Sequence, residues 1–328
     1  MSTKPIALIP AAGQGTRLKP HTHTLPKVLL HVAGKPILGH ILDDLPRLGI
    51  DEVILIVGYY AERVVSYVKE RHPGLKAHFV EQTERLGLGH AVSLGAPIAG
   101  NRPLLVILGD TIFEADLAAV LRGGVSSIGV KEVEDPRRFG IVETDAQGRV
   151  TRMVEKPERP ASRLAITGVY YFTSGGPLFA ALEDLKRLDI RTRGEYQLTD
   201  GMQRMIEQGE TLTTFPILGW HDCGKTETLL ETNRVLLAKM PQSAPPNGSV
   251  VIPPVVIAAG AEVEHCILGP HVSIGTGARL RNAAIRNSII NENATLEDIL
   301  LEDSVVGENA VVRGRFGRVN VGDSSEVG

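Results

Sequence analysis

Aromatic residues make up only 4% of this 328-residue chain, with one Trp, six Tyr and seven Phe. Any core must therefore be filled by Val, Ile, Leu and Ala. Cysteine is scarcer still. Cys223 and Cys266 stand far apart without ligand-like spacing, which argues against a disulfide scaffold or a zinc site and makes a reducing cytosol the expected compartment. Neither sign of charge dominates: 35 Lys and Arg against 38 Asp and Glu leave a formal net charge of −3. Nucleic acid needs a concentrated basic surface, so none is expected as a partner. No stretch approaches the ~18 apolar residues of a membrane span, so no membrane partner is expected either. The first apolar run, Ile6–Ile9, ends at Pro10 and is too short for a signal-peptide core. There is no Ser-His-Asp or Cys-His arrangement, hence no sign of a covalent enzyme intermediate. His21, His23, His31 and His40 cluster in sequence without metal-ligand spacing.

Glycine is plentiful, at 35 residues, and the two ends of the chain use it differently. The first part alternates apolar runs with helical patterns. Strands are expected at Ile6–Ile9, Glu52–Val57, Ala77–Val80 and Leu104–Leu108. Helices are expected at Lys35–Leu48 and Ala61–Arg71, and from His90. That alternation predicts an α/β fold with parallel βαβ units. Over residues 126–172 the pattern becomes antiparallel, with a turn at Asp145–Gly148, and reads as an insertion over the carboxyl ends of the parallel strands. Helices at Pro177–Leu188, Leu198–Gln208 and Thr226–Leu237, with a strand near Leu212–Ile217, complete a domain spanning residues 1–240.

Residues 241–248, with prolines at 241, 245 and 246, form a linker by composition. From 249 to 328 aliphatic residues recur every six positions: Val251, Ile257, Val263; Leu268, Ile274, Leu280; Ile290, Leu296; Val306, Val312. Ala261, Ala278, Ala294 and Ala310 follow four positions after an aliphatic. This is the hexapeptide pattern of a parallel β-helix, with about four partial coils of ~18 residues. His265 and His271 fall within it.

The chemistry begins at Ala11-Ala12-Gly13-Gln14-Gly15-Thr16-Arg17-Leu18, directly after the first strand. Gly13 and Gly15 permit a backbone that presents successive N–H groups to phosphate oxygens, and Arg17 adds a bidentate cation. A strand, a Gly-rich loop and a helix make a phosphate cradle. A dinucleotide fingerprint would need a third Gly where Leu18 stands, and a Walker A loop would end in Gly-Lys-Ser/Thr. Read alone, Gly13-x-Gly15 is only a tight turn. The continuation through Lys19-Pro20 to Leu25-Pro26-Lys27 makes it one extended signature. Further on, Asp110 ends the most apolar strand, where open α/β sheets bind ligands and where a carboxylate suits a hard cation.

The segment from Gly13 to Lys27 resembles the signature of the sugar nucleotidyltransferases. The later segments, through Leu108-Gly109-Asp110-Thr111, resemble the long form of glucose-1-phosphate thymidylyltransferase, which carries an added β-helix. The resemblance covers nearly the whole chain in order. It implies a Rossmann-like mixed sheet as the nucleotidyltransferase domain, a sugar-binding insertion at about 126–172, and a short left-handed parallel β-helix. It implies that Ala11, Ala12, Gly13, Gly15, Thr16 and Arg17 hold a nucleoside triphosphate and that Lys27 meets the phosphates of both substrates. Glu81-Gln82 to Gly89 resembles the base-recognition loop; Gln82 offers both a donor and an acceptor to a pyrimidine edge, and Gly87 lets the backbone approach the ring. Gly140, Glu155, Lys156, Gly168 and Tyr170 match the sugar-phosphate segments, as does Glu195–Asp200. Asp222 in Trp220-His221-Asp222-Cys223-Gly224 would share Mg²⁺ with Asp110.

The reaction so implied is one in-line displacement. The sugar 1-phosphate attacks the α-phosphorus of the triphosphate and pyrophosphate leaves, with positioning and charge neutralisation as the catalysis. Arg17, Lys27 and Asp110 would be the catalytic residues and Mg²⁺ the cofactor. The preferred substrates are dTTP and glucose 1-phosphate. The opening Ile9–Gly13 also looks like the enzymes that use UTP, and one methyl discriminates only weakly, by ~1–3 kcal/mol. A catalytically silent regulatory or assembly homologue is a third reading, against which intact Arg17, Lys27, Asp110 and Asp222 weigh. The β-helix shows no acyltransferase segment and is expected to serve assembly, its coil edges needing cover in a homo-oligomer.

Overall fold

The computed structural model describes residues 4–246 and 248–314; Asn247 of the expected linker and the expected close of the repeat domain, 315–328, lie outside the described residues. The chain divides into two compact units. One holds the segment up to Leu30 together with Pro36–Lys225, and the other holds His31–Lys35 and the segment from Thr226 onward. The helix Thr226–Leu237, read from the sequence as closing the first domain, is grouped with the second unit.

In the first unit four strands run parallel, with Ile6–Pro10 between Leu104–Ile107 and Glu52–Val57, and Lys76–Glu81 beyond. Their near-continuous apolar runs follow from burial of both faces. Successive side chains of a strand point to opposite faces. Ile6, Leu8, Ile54, Ile56, Leu104 and Val106 accordingly join one core, and Ala7, Ile9, Val53, Leu55, Leu105 and Ile107 the other. Helices Leu88–Ser93, Gly175–Arg187 and Leu198–Glu207 cover the first core through residues such as Val92, Leu182 and Met202. Helices Ile37–Asp44 and Ala61–Arg71 cover the second through Leu38, Leu42, Val64 and Val68, one helical turn apart. No described helix is long and apolar enough to cross a membrane.

The antiparallel segment joins the same sheet, and the first half of its long strand runs past the carboxyl end of Leu104–Ile107. Leu164–Phe172 pairs antiparallel with Leu104–Ile107, and Gly140–Thr144 and Val150–Glu155 continue outward from it. The reason is in its residues: all but the first of this nine-residue strand are buried, which requires neighbours on both edges and cover on both faces. Ser127–Glu132 pairs with the same strand, and the register slips between Ile166 and Tyr170 around Gly168, whose φ is +94°. A glycine at positive φ suits such a bulge.

From Val250 onward the described residues of the second unit form a parallel β-helix of three four-stranded sheets. Val250 stacks on Ile267, Ala284 and Leu300; Val255 on Val272 and Ser288; Glu262 on Arg279, Thr295 and Val311. Those partners lie 16 or 17 residues apart, so the coils are shorter than the ideal and the hexapeptide phase slips once per coil. The aliphatics of the six-residue repeat all reach the interior, joined by Ile285 and Leu301, which the repeat reading passed over. The corners use left-handed residues, among them Asn282, Asn287, Asn293, Asp298 and Asn309. His265 and His271 are corner residues of this kind, at φ +52° and +63°.

Candidate active site

The loop after Ile6–Pro10 is pinned at its first peptide, between the two neighbouring strands. Ala11 donates from its backbone to the Ile56 carbonyl at 2.7 Å, and Gly109 donates to the Pro10 carbonyl at 3.2 Å. Gly15 is left-handed at φ +61°, and a Cβ there would stand 2.9 Å from Lys27 Cβ and 3.0 Å from Thr22 Cγ2. A Cβ on Gly13 would meet nothing within 4 Å. The two glycines therefore have different duties: Gly15 lets the chain pack, and Gly13 faces open space. Thr22, buried, donates from Oγ1 to the Gly15 carbonyl at 2.8 Å and fastens the loop to the stretch that follows.

That stretch corrects one expectation. The loop does not lead into an α-helix. It continues through three single-turn 3₁₀ segments, Thr16–Leu18, His21–His23 and Lys27–Leu29. Three-residue turns carry no extended dipole, so attraction for phosphate must come from the loop N–H groups and from side-chain cations. Prolines 20 and 26 each precede one of these turns and, lacking an N–H, cannot continue an α-helix.

Lys27 is the buried cation. It is 7% exposed, and Nζ lies 2.6 Å from Asp110 Oδ2. Asp110 follows the strand Leu104–Ile107 and its other oxygen receives only a 3.4 Å contact from Thr111 Oγ1. Thr111–Glu114 pairs antiparallel with Gly219–Asp222, setting Asp222 opposite Thr111, and the Cys223 N–H reaches the Asp110 carbonyl at 3.2 Å. The two aspartates thus share one end of a two-stranded ribbon although 112 positions separate them in sequence. A Cβ on Gly224 would lie 2.9 and 3.0 Å from the Asp222 carboxylate oxygens and 3.1 Å from Arg17 Nη2, so Arg17 and Asp222 converge over this glycine. Among the described residues no three His, Cys, Asp or Glu side chains cluster as metal ligands. Two carboxylates, one with an oxygen largely unengaged, suit a cation such as Mg²⁺ that takes one or two protein carboxylates and completes its shell with water and phosphate oxygens.

Gln82 follows the strand Lys76–Glu81 and donates from Nε2 to the Gly87 carbonyl at 3.3 Å; the same nitrogen lies 3.2 Å from His90 Nδ1. Gly87 has φ +114°, and its missing Cβ would meet the Tyr196 carbonyl at 2.6 Å. Close approach of the 195–197 segment therefore already requires glycine at this position.

Of the residues expected on the sugar side, Gly140, Glu155 and Lys156 lie together. Glu155 accepts from Thr199 Oγ1 at 2.7 Å and pairs with Lys156 Nζ at 2.9 Å. A Cβ on Gly140 would collide with Glu155 Oε2 and Thr199 Oγ1, both at 2.9 Å, and one on Gly168 would meet Leu108 Cδ1 at 2.7 Å. Lys156 itself is left-handed at φ +44°, uncommon for a side chain with a Cβ. Tyr170 is 3% exposed and lies beneath the surface; burial first, then the Glu155 and Asp110 carboxylates, raise its hydroxyl pKa. Burial, opposed by a hydrogen bond with Thr192, also raises the pKa of Asp200.

A cleft of about 490 Å³ brings Ala11, Ala12, Gly13, Gly15, Thr16, Lys27, Gln82, Gly87 and Asp110 together. Arg17, Asp222 and the five sugar-side residues lie outside its lining. The cleft also exposes Gln14, Arg85 and Glu195, which the sequence reading did not single out as site residues. Arg85 sits in the segment 81–89 that resembles a base-recognition loop, where a cation beside Gly87 was a usable signal. Thr199 lies in the matched segment 195–200, but its particular part appears only in its contact with Glu155, 44 residues earlier.

Comparison with known proteins follows the same outline. The model of the nucleotidyl transferase family matches residues 6–239. The chain is 33% identical to a glucose-1-phosphate thymidylyltransferase of Streptomyces antibioticus over 312 residues, 87% of this chain and 86% of that protein. It is also 33% identical to a UTP–glucose-1-phosphate uridylyltransferase of Haloferax volcanii, across 72% of this chain and 98% of the relative. Among solved structures, a UDP-glucose pyrophosphorylase complexed with UDP-glucose superposes with a TM-score of 0.64 at 25% identity, covering 73% of this chain and all of that one.

Proposed function

The chain belongs to the nucleotidyl transferase family, as a sugar-1-phosphate nucleotidyltransferase, and on that premise we propose that it joins dTTP to glucose 1-phosphate, releasing pyrophosphate. The substrates of the family are a nucleoside triphosphate and a sugar 1-phosphate, and its members work with a divalent metal. UTP is the second reading for the nucleotide, favoured by the similarity to uridylyltransferases and pyrophosphorylases.

In this proposal the N–H groups of residues 11–16 and the Arg17 guanidinium hold the triphosphate. Gln82 and Gly87 read its base. Glu155, oriented by Thr199, accepts from sugar hydroxyls, while Gly140 and Gly168, held close to Glu155 and Leu108, turn backbone toward the sugar and Tyr170 underlies it. Lys27 and Lys156 draw the sugar phosphate toward the α-phosphorus. The phosphate oxygen attacks in line and the pyrophosphate oxygen leaves, so no group of the protein takes a covalent bond. Asp110 and Asp222 would hold Mg²⁺, which when bound neutralises charge on the α-phosphate. Lys27 is buried beside Asp110, so its charge acts at reduced screening, where fixed cations stabilise phosphoryl transfer best.

The division of labour we propose assigns catalysis to residues 1–240 and assembly of a homo-oligomer to 249–328, in the cytosol. The single observation that carries the reading is the Gly13–Gly15 loop, the buried Lys27 and Asp110 meeting in one cleft. Nucleoside triphosphates assayed in a matrix against sugar 1-phosphates, with pyrophosphate release as readout, test it. Highest kcat/KM for dTTP with glucose 1-phosphate is expected. Preference for UTP would transfer the assignment to the second reading, and silence across the matrix would defeat both.

A further inference from the structure

The Gln82 side chain is more constrained than a base reader need be. Its amide carries two N–H donors and one carbonyl acceptor. The Gly87 carbonyl, 3.3 Å away, can only accept, so the amide atom facing it is the nitrogen. The same nitrogen lies 3.2 Å from His90 Nδ1. With the amide donating, that ring nitrogen must accept, which puts the proton of a neutral imidazole on Nε2. Burial, helped by Lys186 and opposed by Glu84, holds the His90 pKa below its ordinary value and so keeps the ring neutral. Both donors of Gln82 are then spent inside the protein. What remains for a ligand in the cleft, whose wall includes Gln82, is the carbonyl oxygen.

We infer that His90 is a positioning residue that fixes the Gln82 amide so that its carbonyl faces the cleft, which makes the site select bases presenting an imide N–H and reject bases presenting a bare ring nitrogen. The inference rests on Gln82 being the base-reading residue. Uracil and thymine both carry hydrogen at N3 and satisfy the carbonyl. Cytosine carries a lone pair there, and two acceptors would face each other without a proton. A site that leaves a buried polar group unpaired discriminates far more strongly than one that merely misses a methyl. The same arrangement therefore separates UTP and dTTP sharply from CTP while separating them weakly from each other.

The test compares UTP, dTTP and CTP in the full chain, each with the sugar 1-phosphate it turns over, in wild type, Gln82→Ala, His90→Leu and His90→Asn. The wild type should favour UTP and dTTP over CTP in kcat/KM. His90→Leu frees the amide to rotate, and the ratio should fall about tenfold through KM for the imide nucleotides, with kcat held, the size of one hydrogen bond. His90→Asn can place an amide oxygen where Nδ1 accepts, and should restore the ratio. Gln82→Ala should abolish it. A ratio kept in His90→Leu but lost in Gln82→Ala overturns the positioning role alone. Equal loss in His90→Leu and His90→Asn marks a packing role and also overturns it. No preference in the wild type, or an unchanged ratio in Gln82→Ala, overturns the base-reading assignment and the inference with it.

Discussion

Gly13 and Gly15 are two residues apart, and the structure predicts opposite consequences for the same methyl at each. At Gly15 an alanine must adopt φ +61°, and its Cβ would press on Lys27 Cβ at 2.9 Å and Thr22 Cγ2 at 3.0 Å. Left-handed strain costs roughly 1–2 kcal/mol and overpacking of a filled site ~1–3 kcal/mol. Thr22 and Lys27 are both buried, so little of the clash can relax into solvent. A loss of about 2–4 kcal/mol follows, read as a fall in melting temperature of ~5–15 °C for a domain of this size. At Gly13 the methyl meets nothing within 4 Å, and stability should hold within ~0.5 kcal/mol. The space it enters is the space assigned to phosphate oxygens. KM for the triphosphate should rise ten- to a hundred-fold, as displacement of a reacting group by about 1 Å allows. KM for the sugar phosphate should move little. Thermal unfolding monitored beside initial-rate kinetics separates the two variants. A Gly13→Ala enzyme with ordinary triphosphate KM would refute the cradle, and a Gly15→Ala protein of ordinary stability would refute the steric reasoning.

Two further outcomes are expected. Thr199→Val removes the donor to Glu155 Oε2 at unchanged shape, and should raise KM for the sugar phosphate several-fold while leaving the triphosphate KM alone, at a stability cost of ~1 kcal/mol; equal effects on both KM values would count against a sugar-side role. Glu52 accepts from Lys76, His78 and Arg102 at 3.0, 2.8 and 2.9 Å; burial opposes its charge, but the three donors outweigh burial and hold its pKa at about 2. Because the folded pKa is depressed, the carboxylate stabilises above its ordinary 4.5 and that contribution, up to about 3 kcal/mol, fades as pH falls toward 2. Urea midpoints of Glu52→Gln should therefore vary less over that window than those of wild type, and parallel curves would remove Glu52 from the acid response.

The elements set by local pattern were legible before any fold was in view. Glu52–Val57, Ala61–Arg71 and Thr226–Leu237 form where the apolar spacing places them. What the chain concealed depends on contacts distant in sequence. Gly87, Gly140 and Gly168 read as openings toward a ligand, yet each is required where Tyr196, Glu155 or Leu108 comes within 3 Å of the missing Cβ. A strand's alternation reveals which face is buried but not which strand lies beside it, so 168–172 was readable as a strand, but not its extension back to Leu164 nor its place beside Leu104–Ile107. The helix expected after Gly15 fails for a local reason, since Pro20 and Pro26 break the stretch into single turns. Site residues far apart in sequence, such as Asp110 and Asp222, could be named from motifs, but their meeting depends on the ribbon between Thr111–Glu114 and Gly219–Asp222.

The strand order Leu164–Phe172, Leu104–Ile107, Ile6–Pro10 acts as a ruler. The phosphate loop leaves the third of these strands, Asp110 follows the second, and Gly168 and Tyr170 belong to the first. Neighbouring strands lie ~4.8 Å apart, so the strand that the proposed triphosphate loop leaves and the strand that carries Gly168 and Tyr170 stand two strand spacings, or about 10 Å, apart. That interval is kept by backbone hydrogen bonds rather than by a hinge or a lid. On the proposed assignment, main-chain pairing rather than any side chain sets how far the strand that would carry the triphosphate loop stands from the strand that would flank the sugar, so substitutions in the cleft leave that spacing unchanged.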